Sequence, residues 1–62
     1  MRRPEETPAA VREGIERYGR QHQGVNVVEL LRDLGWDGLL GCYYFYRGDM
    51  FHGVELDGTV HT

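Results

Sequence analysis

The stretch Cys42-Tyr43-Tyr44-Phe45-Tyr46-Arg47-Gly48-Asp49-Met50-Phe51-His52-Gly53-Val54-Glu55-Leu56-Asp57-Gly58 decides the fold. It opens on four consecutive aromatic residues, a composition that fits a pleated, half-buried surface better than a helix. Arg47-Gly48-Asp49 supplies turn chemistry, and Asp57-Gly58 is a strong hairpin signal that favours a type I′ turn. The reading is a β-meander with strands over Cys42–Tyr46, Met50–Leu56 and Thr59–Thr62.

Taking Arg47–Asp49 as a three-residue turn sets the register. Tyr46 then faces Met50, Phe45 faces Phe51, Tyr44 faces His52 and Cys42 faces Val54. Side chains alternate between faces. One face gathers Tyr43, Phe45, Phe51 and Val60, with Gly53. The other gathers Cys42, Tyr44, Tyr46, Met50, His52, Val54, Leu56 and His61. The first face is the drier and is assigned to the core.

Upstream, the period changes to that of helices. Thr7-Pro8 marks a helix start. Val11, Ile15, Tyr18 and His22 then fall on one stripe of a helix over about Pro8–Gln23. Gly14 and Gly19 are costly inside a helix, which implies close backbone packing there or an earlier end. Gly24 closes the segment. Asn26 and Glu29 form an Asn version of the capping box, with Val25 and Leu30 as its hydrophobic staple. The second helix runs over Val27–Leu34, burying Val27, Leu30, Leu31 and Leu34, and Gly35 is expected to end it in the left-handed region. The expected fold is α+β: two N-terminal helices followed by a three-stranded antiparallel β-meander. Residues 1–6 form a tail and residues 7–62 one small domain.

Size and composition narrow the function. A chain of 62 residues has a marginal core, and small scaffolds usually gain support from disulfides, a metal or a partner. Cys42 is the only cysteine, so no internal disulfide forms, which suits a reducing, cytoplasmic compartment. No apolar run approaches the ~20 residues of a membrane helix, and none follows the basic pair Arg2-Arg3 as a signal peptide requires. Cys42, His52 and His61 share a face but lack the paired spacing of a zinc site, so neither metal nor cofactor is expected. Cys42 opens an aromatic strand near carboxylates, a poor setting for a thiolate. So small a domain also has little volume for a substrate pocket. The chain reads as a non-enzyme with no small-molecule substrate.

What remains is a surface. Two helices cover one side of a sheet, and the aromatic residues exceed what one side needs. A large exposed apolar patch marks a protein contact. The chain is therefore expected to be a small adaptor, inhibitor or regulatory protein acting through protein–protein contact, with a homo-oligomer as one way to hide the surplus face. The expected partner-binding residues are Tyr44, Tyr46, Met50, His52 and Leu56.

A second reading starts from Val28-Glu29-Leu30-Leu31-Arg32-Asp33-Leu34-Gly35-Trp36-Asp37. This run resembles the first helix and turn of a helix-turn-helix motif. The resemblance spans roughly residues 27–60 and implies a degenerate winged helix, with a recognition helix over Gly38–Arg47 and a wing tip at Asp57-Gly58. It implies a DNA-binding transcriptional regulator whose Arg2, Arg3, Arg12, Arg17 and Arg20 touch phosphates. The sequence departs from the pattern at Leu31, where a small residue is usual, and at Gly38 and Gly41. It has no basic residue before Arg47 to read the major groove. Residues 25–62 also set two arginines against six carboxylates, a balance that disfavours docking on phosphates.

Overall fold

The structure, a computed structural model, describes residues 7–61. The tail expected over residues 1–6, with Arg2 and Arg3, lies outside the described residues, as does Thr62. Two helices, α1 (Ala9–Gln21) and α2 (Val27–Arg32), precede three strands, β1 (Gly35–Asp37), β2 (Cys42–Arg47) and β3 (Met50–Val54). The strands form one antiparallel sheet in the order β1-β2-β3. This is the expected α+β class, two helices followed by a three-stranded antiparallel sheet.

The helices form for the reasons their sequences suggest. Val11, Ile15 and Tyr18 bury one stripe of α1. The Pro8 carbonyl accepts from the Arg12 amide at 3.1 Å, and Pro8, not Thr7, is the cap residue, with no side chain capping this end. The Asn26 side chain accepts from the Glu29 amide at 3.2 Å, which satisfies one of the free donors at the start of α2. Gly24, at φ +81°, turns the chain between the helices.

Both glycines of α1 are explained by close packing. A Cβ on Gly14 would collide with the backbone of Gly58, and one on Gly19 would collide with the Val27 side chain. The cost of glycine in a helix, about 1 kcal/mol, is thus offset by letting the C-terminal turn and the second helix approach α1.

Two strand assignments are corrected. The chain enters a strand directly at Gly35, which has no positive φ. After Asp37 the chain turns: the Asp37 carboxylate accepts from the amides of Leu39 and Leu40, at 2.9 and 3.1 Å. Gly41, at φ +72°, closes the turn, its N–H donating a hydrogen bond to the Asp37 carbonyl at 2.8 Å. Of the strand expected over Thr59–Thr62, the described residues 59–61 form a bridge between Val54 and Val60 and no named strand, and the third strand of the sheet is β1. The winged-helix alternative is likewise corrected. Residues 38–47 form this turn and β2, so no recognition helix exists.

The register is also corrected. Arg47 pairs with Met50, Tyr46 with Phe51, Phe45 with His52, Tyr44 with Gly53 and Tyr43 with Val54. The hairpin turn is therefore the two residues Gly48-Asp49, with φ +65° at Gly48 and no positive φ at Asp49. That is the type II′ pattern, whose twist matches its flanking strands. Asp57-Gly58 is not the expected type I′ turn either, since Gly58 alone has positive φ and type I′ needs it at both central residues.

One cluster forms the core: Val11, Ile15 and Tyr18 from α1, Leu30, Leu31 and Leu34 from α2 and its end, and Tyr43, Phe45 and Val54 from the sheet. Each fully buried side chain of this size contributes about 1.5–3 kcal/mol. The helices cover the sheet face that carries Tyr43, Phe45, His52 and Val54.

Candidate functional site

The opposite, outer face of the sheet carries Tyr44 and Tyr46 from β2 and Phe51 from β3. Their rings touch one another. Tyr44 and Phe51 stack with centroids 5.4 Å apart, Tyr46 meets Phe51 edge-on at 5.5 Å, and Tyr44 meets Tyr46 edge-on at 6.1 Å. Tyr46 is 57% exposed and Phe51 45%. Trp36 and Leu39 border the cluster at the β1 edge, and Leu39 is 99% exposed. At the other end of the face, Leu40 and Leu56, both exposed, flank Cys42, Glu55 and His61.

The expected contact residues separate. Tyr44 and Tyr46 lie together on the outer face. Leu56 is exposed at the far end of the same side. Met50 is exposed but pairs with Arg47 in the row that points to the helical side. His52 is corrected: it is only 8% exposed, with its ring stacked on Phe45 at 5.2 Å and 6.0 Å from that of Tyr18. Its Nδ1–H donates to the His61 carbonyl at 3.1 Å, which satisfies the buried ring. Phe51, expected in the core, takes the open side instead, and Val54, expected on the open side, is fully buried. One residue of register accounts for all three exchanges. Phe51 was legible in principle, because Gly-Asp is a two-residue hairpin pair. Leu39 carried no comparable signal, since its exposure depends on the turn that Asp37 caps.

The rest of the surface offers less chemistry. His61 Nε2 contacts the Glu55 carboxylate, and both residues are exposed. Among the described residues no group of three or more His, Cys, Asp or Glu side chains is placed to hold a metal. A groove between the helix connection and the β2–β3 turn is lined by Tyr18, His22, Asn26, Glu29 and Arg47. There the Arg47 guanidinium donates to the Tyr18 hydroxyl at 3.0 Å, and the His22 ring stacks on Tyr18. No buried side-chain polar atom among the described residues lacks a partner.

Arg12, Arg17 and Arg20 are exposed on α1, as the nucleic-acid reading requires. At about 100° per residue, Glu13 and Glu16 fall between them around the helix. The helix therefore presents alternating charge and not the basic stripe that tracks a phosphate backbone. No helix among the described residues is long and apolar enough to cross a membrane. Comparison of the chain with protein-family models, with curated proteins and with solved structures finds no match.

Proposed function

We propose that the chain is a small adaptor, inhibitor or regulatory protein that works by protein–protein contact through the outer face of its sheet. The observation that carries this reading is the contiguous ring cluster of half-buried Tyr44 with exposed Tyr46 and Phe51, extended by exposed Leu39. Burying rings of this kind against a partner recovers the hydrophobic free energy that the chain's own helices leave unused. Tyrosine and phenylalanine are enriched at the centres of such contacts. They also lose little side-chain entropy on binding, because each has two rotatable bonds.

Site-specific photo-crosslinking tests the proposal. A photoreactive side chain is placed at Tyr46 or Phe51 in the organism that encodes the protein, with Glu13 on the exposed side of α1 as control. Discrete protein adducts from the sheet positions and none from Glu13 are expected. Free, unadducted chain at all three positions would remove the proposal.

A further inference from the structure

We infer that the turn tip Leu39-Leu40 is an anchor, seated in an apolar pocket of a partner protein whose rim carries lysine or arginine. The inference rests on the contact reading above and states the chemistry of the protein that makes the contact.

The tip is the first observation. Leu39 is 99% exposed and Leu40 66%, so neither side chain does much for the chain's own core. The turn does not require them either. Its flanks build it: the Asp37 carboxylate accepts from the Leu39 and Leu40 amides, and Gly41 supplies the left-handed residue. Turns ordinarily carry small or polar residues at such positions. Here two leucines stand clear between Gly38 and Gly41, and even a Cβ on Gly41 would meet nothing within 4 Å. A side chain raised in this way gains contacts on all sides only in a concave site, as an aliphatic anchor does in a partner's pocket.

The backbone is the second observation. Three successive amides turn inward on Asp37: those of Leu39 and Leu40 donate to its carboxylate at 2.9 and 3.1 Å, and that of Gly41 to its carbonyl at 2.8 Å. A donor that keeps its partner avoids the cost of burial unpaired. The tip can therefore lose its water without stranding these donors. The same bonds hold the turn in shape, so less remains to be ordered on binding. They also keep these amides from pairing with a partner strand, which leaves the contact to side chains.

Charge selects the partner. Asp37 lies at the base of the tip, and Glu55 and Asp57 share a depression with Leu40 and exposed Leu56. The imidazole there, His61, contacts the Glu55 carboxylate. Among the described residues no arginine lines either flank of the tip, and the chain contains no lysine. An apolar anchor set among carboxylates is complemented by an apolar pocket set among cations, an arrangement that favours the right partner and speeds encounter. The same carboxylates repel the anionic headgroups of a membrane surface, which favours a protein as the occupant.

A diazirine analogue of leucine placed at position 39, in the organism that encodes the protein, tests this. A discrete protein adduct is expected, attached among apolar residues that have lysine or arginine beside them. The captured protein is then purified and titrated with the full chain. Leu39→Ser is expected to weaken binding at least about tenfold with the circular dichroism unchanged. Glu55→Gln is expected to slow association several-fold at low ionic strength, with the difference closing at high salt. Full affinity in Leu39→Ser, or an association rate indifferent to salt, would overturn the inference. So would flotation of the chain with vesicles of phosphatidylcholine, with or without phosphatidylserine, that is lost in Leu39→Ser, because the occupant would then be a membrane. A partner captured through Tyr46 or Phe51 that binds Leu39→Ser at full strength would end this inference and leave the broader contact reading intact. A failure of the broader reading shows separately, as absence of any adduct from Tyr46, Phe51 and Leu39 alike.

Discussion

The backbones of Gly14 in α1 and Gly58 in the C-terminal turn meet directly, so that a Cβ on Gly14 would fall on the Gly58 carbonyl. The carbonyl of Ala10 blocks a Cβ on Gly58 in the same way. This contact holds the last described turn against the first helix. Gly14→Ala tests it because two effects oppose each other. Helix propensity favours alanine by about 1 kcal/mol, while forcing apart a packed contact typically costs about 1–3 kcal/mol or more. The packing term is expected to win, and urea denaturation is expected to show a net loss of stability. A more stable variant would mean that the two backbones are not in contact.

Phe45 and Phe51 provide a matched pair of opposite burial. Phe45 is 1% exposed and Phe51 45%. Phe45→Ala is expected to cost about 3–5 kcal/mol, nearly all the stability of a domain this small. Phe51→Ala is expected to cost less than about 1 kcal/mol in the dilute monomer. Were the hairpin turn three residues long, the two rings would face each other on the core side, and both substitutions would be severe. Thermal melts of the two variants therefore read the register directly.

His52 ties the end of the chain to the sheet. Its ring donates to the His61 carbonyl, and the His61 amide donates to Gly53. His52→Ala is expected to cost about 1–3 kcal/mol and to speed hydrogen exchange at the His61 amide more than at Phe45. His52→Asn, whose amide can stand in for the Nδ1 donor, is expected to restore part of that protection. Equal exchange at His61 in all three proteins would remove the tether from the account.

Asp57 gives the fold a defined acid response. Its carboxylate accepts from the Thr59 amide at 2.9 Å. That bond, more than any other cause, holds its pKa below the ordinary 3.8. A carboxyl lowered in the folded state stabilises above its unfolded pKa, and the contribution fades as pH falls through the folded value. Asp57→Ala is expected to melt at a lower temperature than the parent at pH 7, with the gap closing below about pH 3.8. A gap that persists unchanged to pH 2 would assign the loss to the turn backbone and not to the charge.

The helical half of the fold was legible because its signals are local. Asn26 caps its own helix, the Val11–Ile15–Tyr18 stripe needs only the helical period, and Gly14 and Gly19 announced close neighbours without naming them. The sheet was legible as a composition and not as a register. Gly48-Asp49 and Arg47-Gly48-Asp49 are both acceptable turns, and choosing between them moves Phe51, His52 and Val54 to opposite faces. Strand β1 gave no signal of its own. Three residues, Gly35-Trp36-Asp37, become a strand only because Gly35 leaves room for the Tyr44 ring and because Asp37 caps the turn that follows. Those are contacts with residues up to nine positions away. The open aromatic face survived these changes because four adjacent aromatic residues in a strand must divide between two sides. Which rings it contains did not.

Hydroxyl-radical footprinting tests the central claim, that the outer face is covered by protein in use, most directly. The purified chain is labelled at high dilution and compared with the chain labelled in an extract of its own cells. At high dilution, Tyr46, Phe51 and Leu39 are expected to label readily, while Tyr43 and Phe45 stay protected. In the extract, Tyr46, Phe51 and Leu39 are expected to lose most of their labelling, with exposed positions of α1 unchanged. Equal labelling of the three in both samples, or their protection already at high dilution, would contradict the claim.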